Sequence, residues 1–225
     1  MNVAQALPKI AIIGGTGKEG KGLAYRWSRA GYEVIIGSRS LEKAAVSANE
    51  IRKLVGGECN ITGDGNLEAA TRAAVVVLTV PFDAHNSVLL SIKPAMKAKL
   101  LIDATVPLFA GSPAAVHLPP AGSAAQEARE ILTEGTEISA AFHTISHQHF
   151  FQDEPIDCDV LVTGTSPAAR TQTLQLVAAA GLRGWDAGAL ENSAVSEGMT
   201  SVLIHINKTY GSRNAGIRVT GVKHQ

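Results

Sequence analysis

The sequence predicts an α/β protein built on a doubly wound, mostly parallel sheet, and three observations carry that prediction. Short apolar runs rich in β-branched residues recur along the chain, at Ile10–Ile13, Glu33–Gly37, Ala74–Val80, Leu100–Asp103, Ile138–Phe142 and Asp159–Thr163. Runs this apolar belong to parallel sheets covered on both faces. Amphipathic stretches of helical period lie between them, the alternation that sets helices on both sides of one sheet. Glycines crowd the turn after the first run, at Gly14, Gly15, Gly17, Gly20 and Gly22. Together these features describe a Rossmann-type fold with a small C-terminal extension.

Each element follows in order. Ile10–Ile13 is too short for a helix and reads as a buried strand. Leu23, Ala24, Trp27 and Ala30 then recur at helical spacing until Gly31, a helix-ending glycine. Glu33–Gly37 is the second strand, and Ser40 caps a helix whose apolar stripe is Leu41, Ala44, Ala48, Ile51 and Val55, ended by Gly56 and Gly57. Asn60–Thr62 is a short third strand and Leu67–Arg72 a brief helix; Ala74–Val80 is a strand stopped by Pro81. A helix over Ala84–Met96 precedes the fifth strand, Leu100–Asp103. From Ala104 to Gly122 runs a loop rich in proline, glycine and alanine, longer than connections usually are. Beyond it come a helix capped by Ser123, the strands Ile138–Phe142 and Asp159–Thr163, and a helix from Pro167 to Ala180. An eighth strand over Leu182–Ala187 and a long helix over Ser193–Lys208, with Asn192 or Ser193 as its N-cap, complete the pattern.

Composition bounds the rest. The 225 residues, 45% of them hydrophobic, suit a single α/β unit with its Rossmann core over about 1–143 and an extension over about 144–225. Lysine plus arginine equal aspartate plus glutamate at 20 each, so no global field attracts nucleic acid or an anionic membrane surface. Cys59 and Cys158 lack CxxC spacing and are expected as reduced thiols. With no basic leader followed by an apolar core and no long apolar run, a cytoplasmic protein is expected.

The run Gly15-Thr16-Gly17-Lys18-Glu19-Gly20 fits a dinucleotide fingerprint. Its glycines serve a tight strand-to-helix turn, backbone approach to a pyrophosphate, and close helix–strand packing. The helix N-terminus behind it offers free amides and partial positive charge to phosphates. At the end of the second strand, where an NAD site carries an acid, this chain has Ser38 and Arg39, with Lys43 one turn later. A guanidinium fork, a hydroxyl and a second cation suit a 2′-phosphate, so NADP is the expected cofactor.

These residues join with later segments into a resemblance. The runs Gly14–Ala24, Gly37-Ser38-Arg39 with Lys43, Val77–Pro81, Ala141-Phe142-His143-Thr144-Ile145 and Asp186–Ser193 resemble the NADPH-dependent reductases of the deazaflavin coenzyme F420. The resemblance spans nearly the whole chain. It implies hydride transfer between NADP(H) and coenzyme F420 as second substrate, with small redox coenzymes as the partners. It further implies pyrophosphate contacts from Thr16 to Glu19 and 2′-phosphate contacts from Ser38, Arg39 and Lys43. Val80, Pro81 and Ala141 would flank the nicotinamide, and His143, Thr144 and Ile145 would wall the deazaflavin site. Stacked rings exchange hydride by positioning and exclusion of water, so no catalytic acid or base is assigned.

One departure falls beside that second pocket. The family continues after Ile145 with Pro-Ala, whereas this chain has Ser146-His147 and then His149. Alternatives follow from it: an NADPH-dependent reductase of flavin or ferric iron, metalloreductase-like, or a non-catalytic NADP(H)-binding sensor. His143, His147 and His149, with Asp153 and Asp157, cannot converge on one regular element, so no bound metal is expected. His143 reads equally as a polar group near the ring or as a partner for a strand-end backbone group. Asp103 and Thr105 read equally as a loop cap or as ligand contacts. Val202, Leu203 and Ile206 give the last helix an apolar face for a homodimer or for its own sheet.

Overall fold

A computed structural model of the chain describes residues 7–109, 111–132, 135–152 and 155–222. The first half alternates β1 (Ile10–Ile13), α1 (Lys18–Arg29), β2 (Val34–Ser38), α2 (Leu41–Val55), β3 (Ile61–Gly65), α3 (Asn66–Arg72), β4 (Val75–Leu78), α4 (Phe82–Ile92) and β5 (Leu100–Asp103). The second half runs α5 (Ala124–Leu132), β6 (Glu137–Ala140), β7 (Asp159–Gly164), α6 (Pro167–Ala179), β8 (Arg183–Ala189) and α7 (Ser193–Tyr210). All eight strands form one sheet in the order β3-β2-β1-β4-β5-β6-β7-β8.

Alternate residues of the apolar strands face opposite cores. Ile10 and Ile12 join Trp27, Ile51 and Phe150 on one side of the sheet, while Ala11 and Ile13 join Leu89, Ile92 and Leu101 on the other. Helix ends follow the residues chosen for them. The Ser40 hydroxyl accepts from the Lys43 amide, Ser166 does the same for Ala169, and Ser123 for Gln126. Gly56 takes the left-handed conformation that closes α2, at φ 71°.

Several expected bounds shift. β4 stops at Leu78 because its partner β1 stops at Ile13, leaving Thr79 and Val80 outside the ladder. β6 stops at Ala140, and Phe142 turns the chain with φ 74°. α4 begins at Phe82, not Ala84, with Pro81 as its N-cap. Asn192 does not cap α7 with its side chain, which donates instead to the Ala187 carbonyl at 2.7 Å. The sheet is parallel from β3 to β6, but β7 runs antiparallel to β6, and β8 is parallel to β7.

That reversal needs a crossing segment, and α1 anchors it. Arg26 donates to the carbonyls of His149, Phe150 and Gln152 at 2.9, 2.7 and 2.6 Å. Phe150, fully buried, lies on Gly22, where a β-carbon would meet its ring at 2.5 Å. A 3-10 turn over His147–Phe151 is thereby clamped against the middle and C-terminal half of α1. Trp27 donates to the Leu176 carbonyl at 2.8 Å and meets Phe142 edge-on, tying α1 to α6 and to the β6 turn.

Candidate functional site

Two cavities open where the order of strands reverses about β1 and β4, at their carboxyl ends, the place where doubly wound sheets bind ligands. The smaller, about 270 Å³, is lined by Thr16, Ser38, Arg39, Lys43 and Asn66. The larger, about 560 Å³, is lined by Lys18, Glu19, His143, Thr144, Ile145 and His147, and by residues of α7 and the chain after it. Gly17, Thr79, Val80 and Pro81 line both, so the two form one trough with a lip in the middle.

The smaller cavity fits a dinucleotide phosphate. Gly14, not Gly15, takes the left-handed turn at φ 78°, and a β-carbon there would strike Val80 at 2.7 Å. Gly15 is buried inside the turn, where a β-carbon would meet the Ile12 carbonyl oxygen at 2.7 Å. Gly20 brings α1 down onto the turn; a β-carbon there would lie 2.6 Å from Gly15 Cα. Gly17 differs. Its φ of −74° suits any residue, and its nearest contact for a β-carbon is an ordinary 3.4 Å. Packing does not require glycine at 17, whereas a ligand backed against the main chain would. Among the described residues the amides of Thr16, Lys18 and Glu19 make no hydrogen bond, as at any open helix N-terminus.

Around the far end of this cavity the chemistry is cationic. Arg39 and Lys43 are exposed and form no ion pair among the described residues. The Ser38 hydroxyl accepts from the Ser40 amide at 3.2 Å, which fixes the turn between them. Asn66 Oδ1 is buried without a partner, an acceptor that a ribose hydroxyl or adenine amino group would satisfy.

Beneath the larger cavity lies a buried polar knot. His85 Nε2 meets Asp103 Oδ2 at 2.7 Å with both residues fully buried. Burial alone would push the imidazolium down, but the Asp103 charge and the hydrogen bonds that the ring donates to Asp103 Oδ2 and Asn86 Oδ1 carry His85 up to about 9. Burial opposes ionisation of Asp103 too, yet His85 and the Thr105 amide hold its carboxyl below the usual range. Asp103 is thus a loop cap and a counter-ion within the protein. Burial pushes His143 down to about 4, so its ring is neutral. The Asp103 carbonyl can only accept, so His143 Nε2 carries the proton it shares at 3.1 Å, while Nδ1 lies 3.4 Å from the Ser196 hydroxyl, which donates to the Ser193 carbonyl at 3.1 Å. The only N–H of His143 is therefore committed to the protein.

The same knot positions α7. Ser123 and Ser193 hydroxyls meet at 2.7 Å, and the fully buried Glu197 accepts from the first α5 amides, Ala124 at 2.7 Å and Ala125 at 3.2 Å. Thr200 donates to the His143 carbonyl at 2.7 Å. Thr200, Leu203 and Asn207 thereby line the larger cavity. Periodicity marks Leu203 as part of an apolar face but does not single out Thr200 or Asn207, and Glu197 capping a helix more than seventy residues away has no local signature.

The residues named from sequence divide unevenly. Thr16, Gly17, Ser38, Arg39 and Lys43 meet at the smaller cavity, and Val80 with Pro81 form the lip. Lys18 and Glu19 face the larger cavity, together with His143, Thr144 and Ile145. Glu19 Oε1 is out of solvent and unpartnered, and burial pushes that carboxyl up to about 8. Ala141 is fully buried and lines neither cavity; its amide donates to the Asp103 carbonyl at 3.2 Å. Of the histidine run, only His143 and His147 line the cavity, while His149 binds Gln152 and the Asn214 carbonyl. Among the described residues no three His, Cys, Asp or Glu side chains are placed to hold a metal. Asp157 pairs with Arg218, and Asp153 lies outside the described residues.

Comparison with known proteins shows the family of the chain. Residues 9–107 match the family described as coenzyme F420-dependent NADP oxidoreductase. The F420-dependent NADP reductase of Methanothermobacter thermautotrophicus is 42% identical, over 96% of this chain and 97% of its own. That of Methanocaldococcus jannaschii is 38% identical, over 96% and 99%. Among solved structures, a protein of Arthrobacter sp. FB24 provisionally described as an F420-dependent NADP reductase superposes with a TM-score of 0.81 at 20% identity, covering 95% of this chain and all of that one. Plasmodium falciparum pyrroline carboxylate reductase, solved with NADP bound, shares the fold at a TM-score of 0.57 and 15% identity, covering 90% of this chain and 67% of that one. With two relatives near 40% identity along its full length, the chain belongs to the F420-dependent NADP reductase family.

Proposed function

We propose that this protein is an oxidoreductase that transfers a hydride between NADP(H) and the deazaflavin coenzyme F420. The observation that carries the reading is the single trough: a phosphate-suited, cationic cavity and a larger one that meet at Gly17, Val80 and Pro81. The bound coenzymes supply the redox chemistry, in which a hydride passes between nicotinamide C4 and deazaflavin C5. The protein's work is binding and alignment. The free amides of Thr16, Lys18 and Glu19 would receive the pyrophosphate, with Ser38, Arg39 and Lys43 at the 2′-phosphate. Val80 and Pro81 would seat the nicotinamide at the lip. His143, Thr144 and Ile145 would wall the acceptor, with His143 acting through its ring face, since its N–H is already bound.

The same reading takes the chain as one α/β unit, a Rossmann core over about 1–143 extended by 144–225, acting in the reducing cytoplasm, where Cys59 and Cys158 stay unpaired. It also takes the protein as a homodimer through α7, where Val195, Val202, Ile206 and Tyr210 leave an exposed apolar stripe. Among the described residues no helix is long and apolar enough to cross a membrane. Mixing the purified protein with NADPH and oxidised F420 tests the activity: both absorbances should fall together. Tight NADPH binding without oxidation by F420, free flavin or ferric chelate would leave a nucleotide sensor instead.

A further inference from the structure

The chain that follows α7 contributes Arg213 and Ala215 to the wall of the larger cavity and is pinned along its length. The Ser212 amide donates to the Asn207 carbonyl at 2.9 Å and the Ala215 amide to Asn207 Oδ1 at 3.0 Å. His149 Nε2 meets the Asn214 carbonyl at 3.3 Å, the Asp159 amide donates to the Ile217 carbonyl at 2.8 Å, and the Val219 amide to Asp159 Oδ2 at 2.7 Å. Gly216 rests on Cys158, whose sulfur a β-carbon would strike. Fixed on both sides, Arg213 lines the cavity, exposed and without an ion pair among the described residues.

Arg213 shares the cavity with other basic groups. Lys18, also exposed and without an ion pair among the described residues, lines the same cavity from the start of α1. Its charge adds to burial in holding the His147 imidazole below its ordinary value, which shows how near the two lie. The one acid on this wall, Glu19, is protonated at neutral pH and offsets neither cation. In a chain of zero net charge this is a local positive site, separate from the Arg39 and Lys43 pair at the far end of the trough.

We propose that Arg213, with Lys18 beside it, forms an anion subsite that grips the phosphoryl and carboxylate groups carried on the ribityl chain of the deazaflavin coenzyme. The inference rests on the hydride-transfer reading for its ligand, since a redox ring seated at Val80 and Pro81 sends its side chain outward past this rim. A planar guanidinium suits such oxygens because it donates two parallel bonds.

Equilibrium titration of deazaflavin fluorescence tests it without turnover. Two ligands are compared, F420 itself and its riboside, which has the same ring and ribityl group but no phosphoryl chain. Arg213→Ala should weaken F420 by about tenfold, the loss of one exposed charge-assisted contact, and leave the riboside and NADPH unchanged. Arg213→Lys should recover part of the affinity, and added salt should weaken F420 but not the riboside. Equal weakening of both deazaflavins, or of neither, overturns the subsite. A wild-type protein that binds F420 in this pattern but exchanges no hydride with NADPH would overturn the proposed activity alone.

Discussion

Replacing Arg39 by alanine separates the two nicotinamide coenzymes, and its size follows from the site. Arg39 and Lys43 are exposed at the mouth of the smaller cavity, with no acid at the end of β2 and, among the described residues, no carboxylate paired with either. In the free protein they face water, so removing one costs little stability. In the complex each would face a dianionic 2′-phosphate. A hydrogen bond to a charged group contributes about 1.5 to 3 kcal/mol, and solvent screening at this mouth favours the lower figure. Arg39→Ala should therefore weaken NADPH about tenfold, at 1.4 kcal/mol per decade, while NADH, which lacks that phosphate, changes by less than about twofold. Removing Lys43 as well should bring the loss toward about a hundredfold, less than additive because the cations share one anion. Nicotinamide fluorescence titrations at fixed ionic strength, with both coenzymes on both variants, measure this. Equal weakening of NADH and NADPH would refute the argument, because the loss would then come from a disturbed turn.

Other substitutions probe the rest of the trough. Gly17→Val should fold normally, since φ is −74° and nothing crowds the position, yet bind neither coenzyme; normal NADPH affinity would mean that the turn is only structural. Gly22→Ala forces a methyl to within 2.5 Å of the buried Phe150 ring. Overpacking of this kind costs about 1 to 3 kcal/mol. Because the strain falls on the Arg26-clamped segment, the KM for F420 should rise while NADPH affinity holds; an unchanged melting temperature and KM would show that the segment yields freely. The buried pair gives a pH test. His85 is raised from 6.5 to about 9 in the folded chain, so its stabilisation is complete below pH about 6.5 and lost as pH rises through about 9. The melting temperature of the wild type should exceed that of Asp103→Asn most near the lower limit, with the gap closing towards the upper; a gap independent of pH would mean that the pair is not ionic.

Much of this protein is written locally. The runs Ile10–Ile13 and Val75–Leu78 declare themselves because a strand buried on both faces must be apolar at every position. Ser40, Ser123, Gly31 and Gly56 announce helix ends because the groups they satisfy lie within one turn of them. Arg39 and Lys43 are legible for the same reason: cofactor preference sits in a few residues after one strand. Even there the turn glycine proved to be Gly14, one residue before the fingerprint suggested, because its φ is 78° and Val80, just beyond the end of β4, occupies the space a side chain would need.

The larger cavity is of another kind. Lys18, His143, Thr200 and Arg213 come from α1, the turn after β6, α7 and the chain beyond it, and no spacing in sequence relates them. Their meeting depends on the reversal between β6 and β7, on Arg26 holding three distant carbonyls, and on Glu197 capping a helix in another part of the chain. Sequence by itself determined the order of strands and helices, the caps at Ser40 and Ser123, the place of the glycine turn and the cations after β2, because each depends on near neighbours in the chain. Only the tertiary structure decided which face of the β6 turn is buried, that the N–H of His143 is occupied, and which side chains line the larger cavity, because burial and electrostatic environment belong to side chains gathered from the whole length of the chain.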